Sequence, residues 1–168
     1  AADVVVGQTD FTSSGTGSTL YQDNAASDVV TYGSKLYMSE QGNSRVLIYN
    51  SIPTQNNAVA DVALGEWGLD EYKFKNPEGL YVDGTRLYVA DTENSRVLIY
   101  NSIPTAAGIA ADVVVGQTDM SSAGTGTTAY NLDFPESAFA YGTKLYIADT
   151  FNNRVLIYNT IPVANNAV

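Results

Sequence analysis

The most reactive side chains in this chain are carboxylates, and they fall at repeated positions. Asp91 precedes Arg96, and Asp149 precedes Arg154, at the same spacing in similar surroundings. A lone pair of this kind could move a proton or grip a charged substrate. Recurrence argues otherwise: an Asp that accepts turn amides and faces an Arg holds a turn together. Glu78 and Glu136 each follow a proline, Pro77 and Pro135. Carboxylates are hard ligands that could hold calcium if several met at one place, whereas two solvated glutamates would hold nothing.

Composition narrows the chemistry further. The chain has 168 residues with no cysteine and no histidine. Thiolate metal sites and disulfides are therefore excluded, as are the usual general base and the commonest transition-metal ligand. Net charge is −10, which opposes binding to nucleic acid or to anionic lipid. Six of the eight basic residues sit at equivalent repeat positions, namely Lys35, Arg86 and Lys144, then Arg45, Arg96 and Arg154. With only Lys73 and Lys75 besides, no basic stripe can form. No apolar run approaches the length of a membrane span, so membrane insertion is not expected.

The element that positions the charged pairs is a phrase stated three times. Arg45-Val46-Leu47-Ile48-Tyr49-Asn50 recurs unchanged at Arg96–Asn101 and at Arg154–Asn159. Asp3-Val-Val-Val-Gly-Gln-Thr-Asp10 returns as Asp112–Asp119, 109 residues later, with a weaker middle copy in Asp61-Val62-Ala63-Leu64-Gly65. Such a period marks stacked structural units. The spacing lengthens from 51 to 58 residues because Thr12–Ser18 and Ser121–Thr127 have no counterpart after Gly65.

Each unit reads as an antiparallel meander. In the middle unit, Gly79–Val82 is the first strand and Asp83-Gly84 a hairpin turn. Arg86–Ala90 follows, then a turn over Asp91–Ser95, then Arg96–Tyr100. Pro104 stops the ladder, because proline lacks the donor a strand needs, and Asp112–Val115 is the fourth strand. Val97–Tyr100 and Val113–Val115 are continuous apolar runs and not alternating ones, so both faces must be covered. Meanders stacked face to face are propeller blades. The fold expected is all-β: three four-stranded blades in a strand order of one, four, four and three. Residues 1–7 form an orphan outer strand, 8–65 blade one, 66–116 blade two, and 117–168 blade three without its own outer strand.

Leu87-Tyr88-Val89-Ala90-Asp91-Thr92-Glu93-Asn94-Ser95-Arg96-Val97 and Leu145–Val155 resemble the core motif of NHL repeats. Blade one departs from that motif, with Ser39-Glu40-Gln41-Gly42-Asn43 in its place and Ala26 where Pro77 and Pro135 stand. The resemblance implies propeller blades, six in many relatives, and a family with RNA-binding, ligand-sensing and lyase members. The negative charge speaks against the first. Nothing here matches the histidine or metal clusters of the propeller lyases, which leaves a divergent lyase as the least favoured reading.

Three wedges do not close a ring, since propellers have typically 4–8 blades. A spare matching strand beside an open sheet edge invites pairing between chains. The expectation is that Asp3–Gly7, through Val4, Val5 and Val6, pairs with Val155, Leu156 and Ile157 of the next copy. Repetition of that contact gives a closed six-bladed dimer or a fibre. The alternative is that these residues belong to a longer array. Trp67-Gly68-Leu69-Asp70-Glu71-Tyr72-Lys73-Phe74 is the least repetitive stretch. Its aromatics are expected to anchor a loop to the core; Trp67 and Tyr72 could instead stack on a sugar ring. Few lysines, abundant Tyr, Asn, Thr and Ser, no thiols, and an opening that runs straight into a strand fit an extracellular or cell-surface life. The reading is a non-catalytic, self-assembling scaffold without a cofactor (calcium at Glu78 and Glu136 being the one candidate). A ligand-sensing or carbohydrate-binding module is the runner-up.

Overall fold

The computed structural model describes residues 1–166 and contains three small antiparallel sheets. Blade one runs β1 (Ala26–Tyr32), β2 (Lys35–Glu40), β3 (Arg45–Tyr49) and β4 (Val62–Leu64). Blade two runs β5 (Pro77–Val82), β6 (Leu87–Asp91), β7 (Arg96–Tyr100) and β8 (Val113–Val115). Blade three has β9 (Pro135–Tyr141), β10 (Lys144–Asp149) and β11 (Arg154–Tyr158). In each sheet the spatial order follows the chain, and the three sheets do not close into a ring. Blade three is three-stranded among the described residues, without an outer strand of its own, as the strand order implied.

Boundaries move by a residue or two. Pro77 joins β5, opposite Asp91 and ahead of a bulge before Leu80, at a first position where its missing donor costs nothing. Asp112, just ahead of β8, donates its amide to the Ile99 carbonyl at 3.0 Å and accepts the Asn101 amide on its carboxylate at 2.7 Å. The 91–95 turn is a short 3-10 segment over Thr92–Asn94 that ends on Ser95 at φ 51°, and Asn153 at φ 53° plays that part in blade three. Left-handed backbone is uncommon outside glycine, and short polar side chains tolerate it best.

The continuous apolar runs work by dividing alternate residues between two neighbours. Leu98 and Tyr100 face blade one, where they pack with Val46, Ile48 and Leu64. Val97 and Ile99 face blade three and pack with Ala138, Leu145 and Ile147. Every residue of β7 is consequently buried. The same arrangement fails in blade three. There Val155 and Ile157 are 63% and 57% exposed, because no described sheet covers that side. The expectation that both faces of every sheet are covered therefore holds for blade two alone.

Polar groups link adjacent blades at fixed points. Thr92 Oγ1 donates to the Pro135 carbonyl at 2.9 Å, and the Leu80 amide donates to Asp28 Oδ2 at 2.8 Å. Within blade two, Arg96 is the largest fully buried side chain. Its Nε donates to Asp91 Oδ2 at 2.7 Å, and its Nη2 donates to the carbonyls of Asp70 and Lys73, both at 2.9 Å. Asp91 Oδ1 accepts the Lys75 amide at 2.6 Å. The pair is structural, as its recurrence implied. However, the amide that Asp91 takes belongs to the segment entering β5 and not to its own turn.

Removing one member of a buried, fully bonded ion pair leaves an unpaired charge, at about 3–5 kcal/mol. Arg96→Ala should cost about that much in chemical denaturation. Arg154→Ala should cost distinctly less, because the Arg154 side chain is 26% exposed where Arg96 is fully buried, although Asp149 beneath it is buried. Equal losses from the two substitutions would contradict a burial-controlled role.

Candidate functional site

The candidate assembly residues sit at two separate ends of the described structure. At one end, β11 pairs with β10 on one side and with no strand on the other. Val155 and Ile157 stand opposite Ala148 and Tyr146 of β10 and are exposed, so this flank of blade three is apolar and open. At the other end, residues 3–7 are not a strand, which corrects the expectation of a preformed one. A lone strand has no ladder to satisfy its amides.

The segment is nevertheless held, and by its own blade one. The Val5 amide donates to Asn56 Oδ1 at 2.9 Å. Val6 packs on Met38, Leu47 and Tyr49, and the Asp23 amide reaches the Gly7 carbonyl at 3.3 Å. The same device occurs where blade two meets blade three: the Val114 amide donates to Asn165 Oδ1 at 2.9 Å. Val114 and Asn165 follow Val5 and Asn56 by the 109-residue period. Val4–Val6 therefore lies against blade one as β8 lies against blade three. In β8, Val113, Val114 and Val115 stand opposite Ile99, Leu98 and Val97. Nothing described stands opposite Val4–Val6.

Beside Val6, the outer face of blade one opens a groove of about 330 Å³ lined by Ala26, Val29, Leu36 and Met38. The period equates Val29, Leu36 and Met38 with Ala138, Leu145 and Ile147, the residues blade three presents to blade two. The groove is thus the surface a preceding blade would cover.

Glu78 and Glu136 share a second cleft, of about 300 Å³, with Ser27, Asp28 and Ser137. Gln41 Nε2 donates to Glu78 Oε1 at 2.7 Å. Burial raises the Glu78 carboxyl, and the neighbouring Glu136 charge adds to the rise. Among the described residues no group of three or more acidic side chains is placed to hold a metal ion. The Trp67–Phe74 loop divides its aromatics. Phe74 is the core anchor, fully buried, whereas Trp67 is 62% exposed, which corrects the expectation that it anchors the loop. Lys75 Nζ lies 5.3 Å from the Trp67 ring centre, and Tyr72 is also exposed.

Two kinds of residue escape motif reading. Asn56 and Asn165 act from irregular loops, and only the 109-residue period marks them. Asp23 occupies the position held by Leu132 in blade three, and alignment of the repeats would have found it.

Residues 74–100 match the model of a protein family described as the NHL repeat. The match covers Phe74, all of β5 and β6, and β7 to its end, which makes blade two an NHL blade. No curated protein matches the chain.

The Glu78 carboxyl should respond to the charge on Glu136. Glu136→Gln removes the second cause of the upward shift, so the Glu78 carboxyl should titrate lower in the variant, as followed by side-chain carbonyl NMR. An unchanged Glu78 titration would mean that the charges are too well solvated to interact.

Proposed function

With an NHL blade at its centre and a related sheet on either side, we propose that this protein is a non-catalytic scaffold whose copies join head to tail. One copy lays Val4–Val6 along the open edge of the next copy's β11. The observation that carries this reading is the shared phase of Val5 and Val114, each held by an Asn side chain on the blade that follows. Docking of residues 3–7 on their own subunit uses the flank of blade one, so it leaves the strand edge free for a partner.

The register follows from β8. Val4 stands opposite Ile157, Val5 opposite Leu156, and Val6 opposite Val155, as their equivalents do within blade two. Pairing would bring the apolar flank of blade three, with Val155, Ile157 and Phe139, onto the groove of Val29, Leu36 and Met38. Covering three valines is worth roughly 1.5–3 kcal/mol each before ordering costs are subtracted. The blade faces add a larger area. A second polar contact fits the same geometry. Gln117 Nε2 donates both to the Ser95 carbonyl of the preceding blade and to Gly124. Gln8, its equivalent, donates to Gly15 alone, and the partner's Asn153 carbonyl would supply the missing acceptor. Repetition of the contact closes a ring if the angles allow and otherwise extends a fibre. A protein of this kind, acidic and without thiols, is suited to the cell exterior.

A carbohydrate-binding role is the second reading, favoured by the exposure of Trp67 and Tyr72 on one loop. Aromatic faces of that kind stack on sugar rings. Binding on a glycan array that is lost in Trp67→Ala would select it.

The assembly reading is tested by size and by cross-linking. The purified chain should run above monomer mass in light scattering, and Val155→Lys should return it to monomer without loss of folding, since Val155 is already exposed. Directly opposed residues of an antiparallel pair lie about 4.5–5.5 Å apart, within disulfide reach. In a protein without native cysteine, mixing Val5→Cys with Leu156→Cys should therefore give a disulfide-linked dimer. A folded chain that stays monomeric at high concentration and gives no cross-link would end the proposal.

A further inference from the structure

Each outer strand ends in a glycine that rests on a plug from the blade that follows. Gly65 sits on Phe74 and Gly116 on Leu132, at φ 84° and 92°. A side chain at either glycine would collide with its plug. Both plugs are fully buried and apolar. The third member of the series is different: Gly7, at φ 84°, sits on Asp23.

A carboxyl at an apolar plug position has unusual surroundings. Asp23 Oδ1 is buried with no hydrogen-bond partner among the described residues. The ionisable groups near it are Glu40 from β2 and Arg45 and Tyr49 from β3. Arg45 is already committed to Glu40 and to the carbonyls of Ser18, Thr19 and Gln22. From the N-terminal segment the Gly7 backbone meets Asp23, its carbonyl accepting the Asp23 amide at 3.3 Å. The geometry accommodates a neutral carboxylic acid and penalises a carboxylate.

We propose that Asp23 is a protonation-controlled catch on the N-terminal segment. Neutral, it seats Gly7 and holds Val4–Gly7 in phase against blade one; ionised, it draws water in and releases them. Burial, reinforced by the Glu40 charge and opposed by Arg45, raises the Asp23 carboxyl to about 6. Because this value lies above that of a free carboxyl, the contact contributes fully below about pH 4 and is lost as pH rises through about 6. If opening of the segment restores an ordinary carboxyl, the opening equilibrium changes by at most about 100-fold across that range. The catch stands on the contact within one chain. Its consequence, stronger head-to-tail joining in mildly acidic surroundings, rests on the assembly reading.

Hydrogen exchange of the Val5 amide, corrected for the intrinsic pH dependence of exchange, tests the catch. The Val155→Lys background keeps partner chains away. Protection at pH 4.5 should exceed that at pH 7.5 by tenfold or more with Asp23 present. It should be nearly equal at the two pH values in Asp23→Leu, which copies blade three, and in Asp23→Asn, which keeps the shape without the charge. A similar loss of protection in both variants, or none with Asp23, would overturn the inference. Light scattering of the unmodified chain judges assembly separately. Loss of protection in a chain that remains monomeric would keep the catch and remove the assembly, and a pH-insensitive segment in an oligomer would do the reverse.

Discussion

A sheet that is apolar on both faces must be covered on both sides, and the architecture follows from that requirement. β7 meets it in full: alternate side chains go to blade one and blade three, and all five residues are buried. The same six-residue phrase in β11 leaves Val155 and Ile157 in water. Identical sequence thus has different burial, decided entirely by the neighbours. Free energy of this size, a few kcal/mol for each large side chain, makes an uncovered flank a surface that favours a partner.

Within each blade the arginine at the head of the third strand performs a second task. It collects carbonyls from a loop that has no ladder of its own and neutralises the carboxylate beneath it. Arg45, Arg96 and Arg154 all do this, and the acid beside each accepts the amide leading into the first strand. Loop, turn and sheet are thereby locked together at one buried point. A catalytic pair would need an open approach to the charged atoms, which Arg96 and Asp91, both fully buried, do not offer.

Blade one keeps the architecture but substitutes its chemistry. Glu40 replaces the usual aspartate and still serves Asn24 and Arg45. Asp23 replaces an apolar plug, and no such economy is available to it, because a longer or shorter acid can reach the same partners while a carboxyl cannot imitate a leucine. The divergence falls on the blade that carries the N-terminal segment.

The repeated phrase, the prolines and the unbroken apolar runs determined the class of fold, the number of blades and the order of strands, because these depend on local periodicity and on the donor that proline lacks. The sequence also revealed that Asp91 and Arg96 serve the blade, since repetition is visible without coordinates. It misplaced Trp67, because an aromatic side chain is as compatible with an exposed loop as with a core, and only packing chooses between them. It misjudged residues 3–7 in a similar way. Three valines have strand propensity, but a strand needs a partner to bond, and here the backbone is held instead by one asparagine from a distant loop. Tertiary structure alone decided those contacts, and with them the environment of Asp23, because burial is a property of the neighbours and not of the residue.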